Sequence, residues 1–151
     1  MSDREELDRA IVSGYREISR GLDRAVLPIL VERGITMAQL KALMAVNAAD
    51  DNGVSVTALG TRLSIGQPSA SLLVEQLVRE GFVTRESDPG DRRRTLVKAA
   101  PAGEELAAEL RLGRSSTFAE WLGRLSDDDA ASLARGLQAL AVAVKETDKP
   151  S

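Results

Sequence analysis

VSVTALGTRLSIGQPSASLLVEQLVREGFVTRESDPGDRRRTLVKAAPAG, residues 54–103, decides the fold. From Ser55 to Leu63 the apolar residues Val56, Leu59 and Leu63 keep the three-and-four spacing of a short helix, with Ser55 as its N-cap. Ser64, Ile65 and Gly66 make a tight turn. A second helix is predicted from Gln67 to Glu80, with Pro68 in its first turn, Gly81 at its end and a buried stripe of Ala70, Leu73, Val74, Leu77 and Val78. Phe82–Glu86 and Thr95–Lys98 read as two strands joined through the turn signal Asp88, Pro89, Gly90, Asp91. Pro101 opens another helix. Two short helices across a tight turn, then a hairpin with a basic tip, have the form of a DNA-reading unit.

Outward from this stretch the chain reads as helix. Before it, Leu7, Ile11, Tyr15, Ile18, Leu22 and Val26 form one stripe on a helix from residue 3 to 27. Pro28 predicts a kink, followed by a further turn to Arg33 and a cap at Gly34. Thr36 to Gln39 has the form of a capping box opening a helix over Met37–Ala48, with Leu40, Leu43 and Met44 inward and Val46 left open. Asp50 to Gly53 is a turn. Behind the hairpin, the Pro101 helix should run to about Leu125, with Gly113 and Gly123 as weak points. Ser126 to Asp129 is a second capping box, and Leu133, Leu137, Leu140 and Val144 repeat along the last helix. The final Lys-Pro-Ser is expected to fray.

Composition narrows the chemistry. At 151 residues the chain fits one compact domain, and with 3% aromatic residues its core must be filled by Leu, Val and Ala. Cys and His are both absent. That excludes a disulfide framework and a thiol sensor within this chain, and neither a Ser-His-Asp nor a Cys-His arrangement can be built. Asp127, Asp128 and Asp129 are consecutive and so do not share a helix face; capping explains them better than a metal does. No cofactor is expected, and no nucleophile–base pair or phosphate-binding glycine loop points to an enzyme. No apolar run is long enough for a membrane span and the first residues are charged, so a cytoplasmic location is expected.

The net charge is −3, which argues mildly against nucleic acid, but charge is local. From Arg85 to Lys98 the hairpin carries Arg85, Arg92, Arg93, Arg94 and Lys98 against Glu86, Asp88 and Asp91. Gln67, Ser69 and Ser71 at the start of the second short helix can reach base edges or phosphates; the alternative is an ordinary solvated turn. Arg92, Arg93 and Arg94 at the hairpin tip can enter a narrow minor groove; the alternative is a solvated charge cluster. Thr57 and Arg62 are candidates for phosphate contacts, and Arg79 and Arg85 weaker ones, each of which alone reads as surface. Leu7, Ile11, Leu133, Leu137, Leu140 and Val144 offer more apolar surface than a lone winged helix uses. They are expected to pack between two chains, rather than close a monomeric core.

Over almost its whole length the chain resembles the MarR family of bacterial transcriptional regulators. The residues that carry the resemblance are Ser87 to Lys98, with Asp91 and Arg93 as that family's Asp-x-Arg pair, and Gln67 to Ser71 followed by Leu73, Val74 and Leu77 to Gly81. The resemblance implies Arg93 as the groove-inserting residue, with Asp91 shaping the tip. It also implies a pocket between the flanking helices and the winged core, usually for small aromatic or phenolic anions, with Tyr15, Arg16 and Arg111 as possible neighbours. The chain departs from the family in two places. Leu72 stands where Arg is common, which puts one DNA contact in doubt. Ala99, Ala100 and Pro101 stand where Leu-Thr is usual, and losing such a cap costs about 1 kcal/mol, offset in part by Pro101.

The chain is therefore expected to be mainly α with one β-hairpin wing, a single domain over 1–151. A winged helix-turn-helix core spans about 36–100, and dimerisation helices about 3–33 and 101–147. The expected function is a dimeric, sequence-specific DNA-binding regulator of near-palindromic double-stranded sites, a repressor relieved by a small molecule. The competing reading is a winged-helix protein-interaction module without specific DNA binding.

Overall fold

A computed structural model describes residues 2–147. Its elements are α1 (Asp3–Arg33), α2 (Met37–Asn47), β1 (Val54–Ser55), α3 (Val56–Leu63), α4 (Gln67–Arg79), β2 (Val83–Ser87), β3 (Thr95–Ala99), α5 (Pro101–Leu122) and α6 (Asp127–Thr147). The fraying expected of residues 149–151 falls outside the described residues. Two compact units divide within α5, between Arg114 and Ser115.

The helix boundaries follow local chemistry. Ser2 and Glu5 form a capping box on α1, which runs through Pro28 and ends at Gly34 in the left-handed conformation (φ 67°). Thr36 Oγ1 accepts from the Gln39 N–H at 3.2 Å while Gln39 Oε1 accepts from the Thr36 N–H at 2.8 Å, closing the capping box of α2. Ser55 Oγ accepts from the Ala58 N–H at 3.1 Å and starts α3. Ser64 takes φ 55° at the end of α3, turning the chain into α4. Such a conformation is uncommon for a residue with a Cβ.

The sheet is antiparallel with order β1-β3-β2. Val83 pairs with Ala99 and Ser87 with Thr95 along the hairpin, and Val54 and Ser55 pair with Val97 and Leu96 on the other edge of β3. The third strand is an addition to the two-strand hairpin expected from sequence. Two residues carry no periodicity, so β1 leaves no signal of its own.

The first unit has one core. Val26 and Leu30 of α1, Leu40, Leu43 and Val46 of α2, Leu59 of α3, and Val74 and Leu77 of α4 meet Val54, Val83 and Val97 of the sheet and Leu106 and Leu110 of α5. Val46 is thus inward. Val78 is not: it is 38% exposed, because it sits at the edge of the α4 stripe. Gln39 is buried but satisfied, since its Nε2 donates to Gln76 Oε1 at 3.2 Å, tying α2 to α4. The wing is pressed against α5. The Ala100 N–H donates to the Phe82 carbonyl at 2.9 Å, and a Cβ on Gly103 would collide with that same carbonyl.

The second unit contains the end of α5 and α6. Ser126 Oγ accepts from the Asp129 N–H at 3.1 Å and caps α6; its hydroxyl donates to Asp129 Oδ2 at 2.8 Å, in place of the backbone bond that would complete the box. α6 contains no buried residue: Leu137, Leu140 and Val144 are exposed and Leu133 is half-buried. Leu7 and Ile11 on the first half of α1 are likewise about 60% exposed.

Candidate nucleic-acid interface

The start of α4 differs from those of α1, α2, α3 and α6. α1, α2 and α3 each have a Ser or Thr oxygen on a first-turn N–H, whereas α4 begins at Gly66 with no side-chain cap. Pro68 has no N–H, but the Gln67 and Ser69 amides are left for an outside acceptor, and the helix dipole favours an anion there. Gln67 and Ser69 are exposed on this turn, and Ser71 is half-buried one turn further in.

The hairpin tip is built by two aspartates. Asp88 Oδ1 accepts from the Gly90 N–H at 2.9 Å, and the Asp88 N–H donates to the Arg94 carbonyl at 3.0 Å. Asp91 Oδ1 accepts from the Arg93 N–H at 3.0 Å, and its carbonyl accepts from the Arg94 N–H at 2.9 Å. Asp91 thus ties the backbone of the second half of the loop. Asp88 does the same for the first half of the loop, a role the sequence reading did not assign. An Asp two residues before the Gly of a turn was the available signal.

Charge at the wing is uneven. Lys98 Nζ lies 2.8 Å from Glu86 Oε2, and Arg94 Nε lies 3.9 Å from Asp88 Oδ2. Among the described residues neither Arg92 nor Arg93 has an acidic partner within 4.0 Å. The acids of the hairpin therefore neutralise its base and shape its loop, and the tip keeps its positive charge.

Helix and wing meet in one hollow of about 210 Å³, lined by Thr57, Gln67, Ser71, Arg93 and Arg94 with Ser55, Val56 and Thr95. Five of the residues picked from sequence thus converge. Ser69 and Arg92 are exposed but outside this hollow. Arg62 is turned elsewhere: its Nη1 donates to the Ala45 carbonyl at 3.4 Å, and it lines a separate hollow beside α2. Arg79 lies 3.3 Å from Glu75, while Arg85 lines a groove beside α4.

The hollow beside Arg62 holds about 470 Å³. Met37, Leu40, Met44, Leu63 and Leu110 give it apolar walls, and Lys41, Arg62 and Arg114 bring cations against one carboxylate, Asp23. Arg114 Nη1 is fixed 3.0 Å from Asp23 Oδ1. Tyr15, Arg16 and Arg111 do not line it: Tyr15 is 69% exposed on α1, and Arg111 faces a different, polar hollow with Lys98 and Glu104. Sequence could not find this site, because its cations come from three different helices. Among the described residues no group of three or more carboxylates is arranged to hold a metal ion.

Comparisons with known proteins agree with the fold. Residues 33–94 match the family model described as MarR family. The chain is 35% identical over 99 residues to the transcriptional regulator HosA of Escherichia coli O111:H-, covering 63% of this chain and 69% of HosA. Across the related regulators the match spans between 63% and 71% of their length. Among solved structures, wild-type MarR from E. coli in its apo form superposes with a TM-score of 0.69 at 26% identity, covering 89% of this chain and 96% of MarR. The fold is also that of Staphylococcus aureus MepR in its DNA complex, with a TM-score of 0.65 at 20% identity over 87% of this chain and 96% of MepR. The chain belongs to the MarR family of winged helix-turn-helix transcriptional regulators.

Proposed function

We propose that the protein is a cytoplasmic, dimeric DNA-binding repressor whose grip on a near-palindromic site is released by a small apolar anion. The observation that carries the DNA part is the convergence of the uncapped α4 start with Thr57, Ser71, Arg93 and Arg94 around one hollow, beneath a wing tip of uncompensated arginines. α4 enters the major groove, where Gln67, Ser69 and Ser71 reach bases or phosphates, and Arg93 enters the adjacent minor groove with Arg92 and Arg94 near phosphate. The MepR complex supports this as a fold neighbour solved with DNA. Arg62 belongs to the ligand hollow in this reading rather than to the DNA surface.

The exposed stripes support the dimer. Leu7 and Ile11 on α1, and Leu133, Leu137, Leu140 and Val144 on α6, are covered by a second copy, each fully buried side chain contributing about 1.5–3 kcal/mol. Residues 1–151 then act as one domain, winged core plus dimerisation helices. A two-fold dimer sets its two α4 helices about one DNA turn apart, roughly 34–36 Å, and so selects a palindrome. The ligand acts through the hollow between Met37, Leu110 and Arg114, whose apolar walls and excess of cations suit a small aromatic or phenolic anion. If it prefers a conformation with wrongly spaced α4 helices, it weakens DNA binding by that difference in affinity.

The test is to recover short genomic fragments on purified protein at rising salt, with Arg93→Ala alongside. Wild type should enrich one near-palindrome, and the variant should lose it. Equal, sequence-independent retention by both proteins overturns the DNA-binding reading. The competing protein-interaction reading is favoured by one observation, the 54% exposure of Leu72 on α4, and would then take its place.

A further inference from the structure

We propose that Leu72 is a base-reading residue that senses the 5-methyl group of a thymine in the major groove. The proposal rests on the DNA-binding reading above. Ala70, Val74 and Leu77 point α4 inward. Pro68, Leu72, Glu75 and Arg79, at spacings of four, three and four, form the opposite face, and all four are exposed. Leu72 thus stands near the middle of the outward face, one residue beyond Ser71 and within two turns of Gln67.

Its surroundings select the occupant. Leu72 lines a groove of about 470 Å³ with Pro68, Ser71 and Glu75 of α4 and with Arg85 and Thr95 of the wing. The one acid there, Glu75, is compensated by Arg79 at 3.3 Å. The wing tip beside the groove is cationic, so the occupant must present an apolar spot within an anionic polymer. The major-groove edge of double-stranded DNA does this at thymine, whose 5-methyl group distinguishes it from cytosine, adenine and guanine. A leucine offers neither a phosphate contact nor a hydrogen bond, so what it contributes on this face is contact with that methyl group.

The experiment begins with selection of a duplex from a random-sequence pool by the full-length protein. Each thymine of the selected half-site is then replaced, symmetrically, by deoxyuridine, which removes only the methyl group. Wild type should lose about fourfold in affinity per half-site at one position, the worth of one buried methyl group. Leu72→Ala, whose circular dichroism should match wild type, should bind the thymine duplex more weakly by a similar factor and be indifferent to deoxyuridine there. A selected half-site without thymine, deoxyuridine that is silent throughout, or an equal penalty in Leu72→Ala overturns the assignment while leaving DNA binding intact. A pool from which nothing is enriched overturns the DNA reading itself, and this inference with it.

Discussion

α4 and α6 carry the same kind of signal and end in opposite states. On α4, Ala70, Val74 and Leu77 recur at four and three and are buried against α2, α3 and the sheet. On α6, Leu133, Leu137, Leu140 and Val144 recur at four, three and four, and the helix has no buried residue. The spacing of apolar residues shows which face of a helix must be covered; it does not show by what. α4 has its cover within the first unit. α6 buries none of its residues, and a second copy of the chain is the proposed cover. α1 contains both cases: Val26 and Leu30 join the core, while Leu7 and Ile11 stay exposed.

Substitutions should separate the two states. Leu77→Ala removes a fully buried side chain and is expected to cost about 2–5 kcal/mol in denaturant unfolding, mainly through the cavity it leaves. A loss near zero would place Leu77 outside the core. Gly103→Ala forces a Cβ against the Phe82 carbonyl and should cost about 1–3 kcal/mol; unchanged stability would show that α5 and the wing separate without penalty. Leu137→Ala with Leu140→Ala should behave differently from both. Its effect should appear as a concentration-dependent shift toward monomer in sedimentation, and a purely monomeric wild type would break the proposed distinction between α4 and α6. Thr36→Ala should lower stability by about 1 kcal/mol by opening the α2 capping box, without moving the monomer–dimer equilibrium. A loss well below that, in unfolding by denaturant, would show that the box adds little to α2.

Local chemistry explains why so much was legible. The capping pair Thr36 and Gln39, the N-cap Ser55 and the αL stop at Gly34 each act within a few residues, so sequence displays them directly. The α3-turn-α4 unit and the hairpin follow for the same reason. What sequence did not display depends on distant partners. β1 exists because Val54 and Ser55 find Val97 and Leu96 across β3. Arg62 turns toward the Ala45 carbonyl rather than toward Gln67, and Arg114 is held by Asp23. Val78 fell on the wrong side because a residue at the border of a helical stripe is placed by its neighbour's shape, not by its own spacing. At the site, the residue types were readable, but the convergence of Thr57, Ser71, Arg93 and Arg94 needed the wing folded back beside α4.

The central claim is that the wing arginines engage DNA, two copies at a time. Its most direct test is the salt dependence of affinity for the recovered palindrome, measured by fluorescence anisotropy with wild type and Arg93→Ala. Two minor-groove arginines per dimer should release counterions on binding. Arg93→Ala should therefore bind more weakly, and the slope of log affinity against log salt should fall by about 2, one unit per protomer. An unchanged affinity and slope would contradict the claim, leaving the wing tip as a solvated cluster of charge.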